Sequence, residues 1–194
     1  MCKYAECSNK CPYNKCSINP SKNHAYILNK KNNGPLNLFS KNDSNMILLV
    51  FEAPGIDEWR KEEPISSKRK GSAAVKFNKE LKNKNKNKED YDIAEAERCF
   101  PGTSTKTTNQ KDLEELKTAS KYCQKYLEQI LKEKDYTKIV CFGKIAKRNV
   151  YSSVKRLVKS GELNYTEEYL KKSVICLTHP MYSKTLSNDI ISNL

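Results

Sequence analysis

Eight cysteines stand in this chain of 194 residues, yet no two of them are spaced C-x2-C. That absence excludes a zinc ribbon, whose metal is held between two such knuckles. No apolar run approaches the length needed to cross a membrane. The first residues lack the apolar stretch of a secretory signal, so a cytoplasmic, reducing setting with no membrane partner is expected. Histidine is scarce: only His24, in a polar N-terminal stretch, and His179 are present.

Positive charge is abundant. Lys and Arg number 36 against 23 Asp and Glu, a formal net charge of +13. Charged residues make up 30% of the chain and mean hydropathy is −0.80. A field of this sign draws polyanions, and nucleic acid is the commonest of them. Lys, Asn, Ile and Tyr are frequent throughout, as AT-rich coding would produce, so part of the charge reflects composition alone.

The length suits one domain with a real core, here divided into a cysteine-rich arm and loop over 1–45 and an α/β core over 46–194. Residues 22–45 are polar and punctuated by Gly34-Pro35, and read as loop with little regular structure. Met46 to Phe51 is an unbroken apolar run with the character of a strand buried on both faces, and Pro54-Gly55 ends it. A short helix is predicted from about Ser72 to Leu81. The Lys-Asn repeat of Lys82 to Lys88 follows as low-complexity sequence that buries nothing. A second strand is predicted at Tyr91 to Ala96. A helix begins after Asn109, where Asp112, Glu114 and Glu115 suit its positive end and Leu113, Leu116, Cys123, Leu127 and Ile130 recur at helical spacing. Ile139 to Phe142 and Ser173 to Leu177 complete the strands, with a helix from Gly143 to about Leu157 between them.

Strands alternating with helices imply parallel pairing through right-handed crossovers. The expected fold is a three-layer α/β/α domain around a mainly parallel four-stranded sheet. In such sheets ligands bind beyond the carboxyl ends of the strands. The residues there are Glu52 to Gly55, Glu95 to Gly102, Gly143-Lys144 and Thr178 to Ser183.

Four cysteines fall within the first sixteen residues: Cys2, Cys7, Cys11 and Cys16. Thiols crowded in a reducing compartment commonly bind metal. The spacing suggests a set completed from far along the chain, with Cys99 and Cys123 as candidates. Four thiolates favour an iron–sulfur cluster, with zinc as the alternative. Cys141 and Cys176 lie inside predicted strands and read as core.

Two loops carry the other chemistry. In Glu52-Ala53-Pro54-Gly55, small residues let backbone N–H groups approach a ligand, and Glu52 places a carboxylate at the rim. His179, fixed by Pro180 at the end of the last strand, can donate a hydrogen bond to developing negative charge. Taken singly, the first is also a plain tight turn and the second a structural histidine.

Together these stretches resemble the uracil-DNA glycosylase superfamily, and within it the iron–sulfur class. The resemblance rests on Phe51-Glu52-Ala53-Pro54-Gly55, Gly71-Ser72-Ala73-Ala74, Cys99-Phe100-Pro101-Gly102, Ile139 to Ala146 and His179-Pro180, in the family's order, and spans about Cys7 to Ser187. It implies an enzyme that flips uracil or another deaminated base out of DNA and hydrolyses its N-glycosidic bond. It implies a 4Fe-4S cluster on two N-terminal cysteines, chosen from Cys7, Cys11 and Cys16 and best matched by Cys11 and Cys16, together with Cys99 and Cys123. The cluster would staple the arm to the sheet without redox work.

By the same resemblance His179 stabilises the leaving base, Ala53, Pro54 and Gly55 bind it, and Glu52 is the nearby carboxylate. Ala53 stands where the best-known class carries an aspartate that orients water; the iron–sulfur class also lacks it. Ser183, with Tyr182 and Lys184, would contact the DNA strand, and Lys68, Arg69 and Lys70 its phosphates. The chain departs from the family at three places. Glu95 replaces an asparagine that reads the base, Ile65 follows Pro64 where an aromatic residue stacks on the base, and Met181 replaces a serine. These departures motivate an alternative: a catalytically inactive nucleic-acid-binding protein on the same fold. A third reading is a zinc-stapled domain without a nucleic-acid role. The chain is expected to act as a monomer.

Overall fold

A computed structural model describes residues 36–100, 108–164 and 166–180. Four strands, β1 (Ile47–Phe51), β2 (Asp92–Glu95), β3 (Lys138–Phe142) and β4 (Val174–Leu177), form one parallel sheet in the order β2-β1-β3-β4. Each lies within one residue of its predicted bounds.

The continuous apolar runs follow from coverage on both sides. Alternate side chains of a doubly covered parallel strand enter two different cores, so no polar alternation is needed. Leu48, Val50, Ala94, Ile139 and Cys141 face one core, while Leu49, Phe51, Ile93, Val140 and Phe142 face the other.

The crossovers supply the cover. Helices α1 (Ile56–Lys61) and α2 (Ala73–Asn83) connect β1 to β2, and Ala74, Phe77 and Leu81 of α2 fill the second core. Helix α3 (Gln110–Glu133) connects β2 to β3, and α4 (Lys144–Lys159) connects β3 to β4. Leu127, Ile130 and Leu131 of α3 pack with Ala146, Val150 and Val154 of α4 in the first core. The short α5 (Glu167–Ser173) leads into β4. The result is the expected three-layer α/β/α arrangement. As predicted, Asn109 caps α3, accepting from the N–H groups of Lys111 at 3.0 Å and Asp112 at 3.3 Å.

Several segments differ from expectation. Helices α1 and α5 are too short to show a periodic pattern; α1 is anchored by Trp59, which is almost fully buried. Part of the polar stretch before β1 is not free loop. Phe39 forms an antiparallel bridge with Ile93, with N–H···O distances of 2.9 and 2.8 Å, and so covers the outer edge of β2. The Lys-Asn repeat was expected to bury nothing, yet its last residue packs inward. Lys88 pairs with Glu63 and places its ammonium 4.1 Å from the centre of the Phe39 ring. Cys176 is exposed rather than core, because β4 is an end strand of the described sheet.

At the amino end of the sheet, Asp92 is buried and accepts from Tyr136 Oη at 2.8 Å, Lys134 Nζ at 3.0 Å and Asn45 Nδ2 at 3.3 Å. That pairing makes a buried charge tolerable and locks β2 to the turn entering β3. No helix among the described residues is long and apolar enough to cross a membrane.

From β1 the chain moves outward to β2, then returns to the other side for β3. This reversal places a topological switch point between β1 and β3, where doubly wound sheets open a ligand crevice at their carboxyl ends.

Candidate functional site

The switch point is built around Glu52 and Gly143. Gly143 follows β3 with φ +100°, and a Cβ there would run into the Glu52 carboxylate. That space belongs to the Glu52 carboxylate, which accepts the Ile145 N–H at 3.1 Å. Gly143 occupies the N-cap position of α4 and has no side chain to cap it. Glu52 does so from a neighbouring strand, with its charge at the positive end of the helix. The rim carboxylate expected from the sequence is thus a buried one, 7% exposed, that holds β1 to α4. Beyond it Ala53 is half-buried, Pro54 buried and Gly55 exposed at the start of α1.

His179 leaves the end of β4 half-buried. Its ring stands edge-on to Phe51, with centroids 6.3 Å apart and planes at 87°. Phe51 in turn stacks on Phe142 at 4.4 Å and meets Phe77 edge-on at 5.4 Å. The N–H of Gly143 donates to Leu177 O at 3.0 Å, tying the ends of β3 and β4 together. The histidine and the Glu52–Gly55 turn therefore share one end of the sheet, with Phe51 joining them.

Glu95 lies directly opposite Phe51 in the β1–β2 register, so both side chains leave the same face. It is 3% exposed, and its Oε2 has no hydrogen-bond partner. Burial, then the charges of Glu58 and Glu52, hold its pKa well above the ordinary carboxylate value. Glu58, on α1, is also raised by burial, with the backbone N–H groups of Glu58 and Ser67 opposing that shift. A carboxyl that keeps its proton offers one donor and one acceptor, the complement of a side-chain amide. Among the described residues no group of three His, Cys, Asp or Glu side chains is arranged to hold a metal ion.

Behind this edge, on the α3 and α4 side, lies a polar cluster that sequence reasoning did not single out. Glu97 is fully buried and accepts a hydrogen bond from the Ser120 hydroxyl, and Arg148 donates to the same Ser120 oxygen at 3.1 Å. Burial pushes the Glu97 carboxyl up to about 8 against these partners. Its neighbour Arg98 is buried too, with its guanidinium 4.0 Å from the centre of the Tyr126 ring. Arg98 donates to Leu36 O and to Asn37 Oδ1, each at 2.7 Å.

Cys99 and Cys123 lie on either side of the Arg98 backbone. Both are buried: Cys99 follows Arg98 in the chain, and the Arg98 N–H donates to Cys123 Sγ at 3.5 Å. Leu36 packs with Cys99, Trp59, Leu116 and Ala119, so the chain enters the described structure beside these thiols. A thiol that receives a backbone N–H, as Cys123 does, is the setting a thiolate ligand uses. Cys11 and Cys16, proposed for the other two, lie outside the described residues, as do Met181, Tyr182, Ser183 and Lys184.

Ile65, expected near the base, is buried in the second core with φ +53°, its carbonyl held by Asn78 Nδ2 at 3.1 Å. A β-branched residue in that conformation carries strain of about 1–3 kcal/mol. Its side chain serves packing and does not face a ligand. Beside it opens a cleft of about 670 Å³ lined by Lys61, Lys68, Lys82, Lys86 and Lys88, with Glu63 and Glu89 also on its wall.

No protein-family model matches the chain, and no curated protein matches it.

Two outcomes follow from the geometry. Gly143→Ala should lose more than about 1 kcal/mol of stability, because the residue is strained at positive φ and meets Glu52; an unchanged urea midpoint would refute the capping arrangement. For Glu95, the folded chain keeps a proton that the unfolded chain releases. The stability this contributes is complete below the unfolded pKa and declines as pH rises toward the folded one. Glu95→Gln should therefore lose less stability than the native chain as pH rises above the unfolded carboxylate value. Parallel stability curves would show that the carboxyl ionises normally.

Proposed function

We propose that this protein is a DNA glycosylase that extrudes uracil, or another deaminated base, and hydrolyses its N-glycosidic bond. The observation that carries the reading is the meeting of His179 and the Glu52–Gly55 turn around Phe51 at the carboxyl ends of β1, β3 and β4. A ring donor beside a close-approach turn suits a flat heterocycle. As the bond from base to sugar breaks, its electrons move onto the base and charge gathers on a base carbonyl. A preorganised imidazole donor there is worth about 3 kcal/mol. Water then adds to the sugar carbon, guided by the backbone of Ala53 and Gly55, and its proton passes to the released base anion. Glu52 acts as a positioning residue: it holds α4 and the turn in place rather than touching the reacting atoms.

Glu95 supplies base recognition in this reading. In its protonated form the carbonyl accepts an imide N–H and the hydroxyl donates to the adjacent carbonyl, as an asparagine amide would. The substitution of Glu for Asn thus preserves the hydrogen-bonding pattern, and a neutral carboxyl does not repel an anionic leaving base. The net charge of +13 and the lysine-lined cleft supply phosphate attraction. Cys99 and Cys123 would hold a 4Fe-4S cluster together with N-terminal cysteines, and its contribution there is folding free energy. Zinc is the alternative occupant. The protein is read as a cytoplasmic monomer acting on DNA.

A second reading, a nucleic-acid-binding protein without catalysis, draws on Ile65. Its burial leaves that position without a stacking partner for a base.

His179→Ala should slow base release on the order of 100-fold while duplex affinity holds, assayed on uracil-, hypoxanthine- and xanthine-containing oligonucleotides with alkaline cleavage of abasic sites. Release from none of these by the native protein would favour the non-catalytic reading. Cys99→Ala and Cys123→Ala should each lose iron and the broad visible absorption of a cluster. Full iron content in either variant would remove that residue from the ligand set, and stoichiometric zinc in the native protein would replace the cluster.

A further inference from the structure

Cys141 and Cys176 are direct partners across the β3–β4 ladder, so both side chains leave the sheet on the α4 face. Adjacent strands lie roughly 4.8 Å apart, within the span of roughly 4.4–6.8 Å that a disulfide accepts between Cα atoms. The two thiols differ in setting: Cys141 is buried in the first core and Cys176 is exposed. The Cys141 thiol hydrogen-bonds the Cys176 sulfur and, with Lys147 of α4 adding positive charge, lowers Cys176 to about 7 against the effect of burial. Cys141 is driven upward, first by that hydrogen bond and then by burial. The negative charge settles on the sulfur that water reaches. Tyr151 of α4 borders both sulfurs, and Lys147 Nζ lies 5.8 Å from the centre of its ring.

We propose that Cys176 and Cys141 form a peroxide-reactive dithiol, in which the exposed Cys176 is oxidised and the buried Cys141 resolves it to an intramolecular disulfide. The pairing in register, the difference in exposure and the neighbouring lysine are the features such a pair requires. The Cys176 thiolate attacks one oxygen of a hydroperoxide. The O–O bond breaks, the departing oxygen takes a proton and leaves as water or an alcohol, and the sulfur becomes a sulfenic acid. Cys141 sulfur then attacks Cys176 sulfur, the S–O bond breaks, and the hydroxyl leaves as water with the Cys141 proton. Two thiols and one hydroperoxide thus yield one disulfide, one water and one alcohol, or two waters when the oxidant is hydrogen peroxide. A cellular thiol pool reverses the step by exchange. This chemistry is independent of base release and of the Cys99–Cys123 corner.

The test treats the full-length protein with stoichiometric hydrogen peroxide, then alkylates, digests and maps it without reductant. The expected product is a single linked pair of peptides carrying Cys141 and Cys176, lost on treatment with dithiothreitol. In Cys141→Ser the Cys176 sulfenic acid should persist and be captured by dimedone. Lys147→Met, an exposed change that leaves the pair intact, should slow alkylation of Cys176 about threefold. Peptide maps in which both residues remain alkylated thiols after peroxide overturn the proposal. So does a disulfide joining Cys176 to another cysteine, or an alkylation rate for Cys176 no faster than that of Cys141.

Discussion

A single carboxylate organises the carboxyl end of this sheet. Glu52 leaves β1 and caps the helix that follows the neighbouring strand β3, accepting the Ile145 N–H. Desolvating such a charge costs several kcal/mol unless donors and dipoles meet it. Here the amino end of α4 provides both. The positive φ at Gly143 is the geometric condition for that contact, and the same glycine hands its N–H to Leu177 beside the histidine loop. The mutual placement of β1, β3, α4 and His179 therefore rests on one residue without a side chain and one whose side chain fills the space.

Charge is partitioned in the molecule. Its surface is strongly cationic, yet Glu52, Glu58 and Glu95 converge beneath the sheet's working edge. A phosphate is drawn to the surface as a whole and turned away from that interior, where a neutral heterocycle meets no such penalty. In the proposed reading, the buried carboxylates would face the base and the lysine-lined cleft the backbone of one polymer.

Much of the architecture was legible in the chain because its causes are local. The unbroken run ending at Phe51 has to lie between two covers, and Asn109 ahead of Leu113 and Leu116 marks a helix start wherever it occurs. The same is true of His179-Pro180 as a strand exit. Contacts between distant residues were not legible. Nothing near Glu52 in sequence says that its partner is Ile145, and nothing near Phe39 says that it will border Ile93. Cys176 reads as core from its apolar neighbours, but its exposure depends on β4 lying at the end of the described strand order. The raised pKa of Glu95 required knowing that the side chain would be buried, with Glu58 and Glu52 near it. Short helices such as Ile56–Lys61 fall below the length at which periodicity speaks.

The Arg98 side chain has a consequence for how the amino-terminal stretch comes away. Guanidinium stays charged across the accessible pH range, and this one grips Leu36 and Asn37 while lying flat on Tyr126. The grip needs neither a metal nor a particular redox state. A protease working inward past residue 36 would meet this rivet first, and the sheet behind it would stay whole.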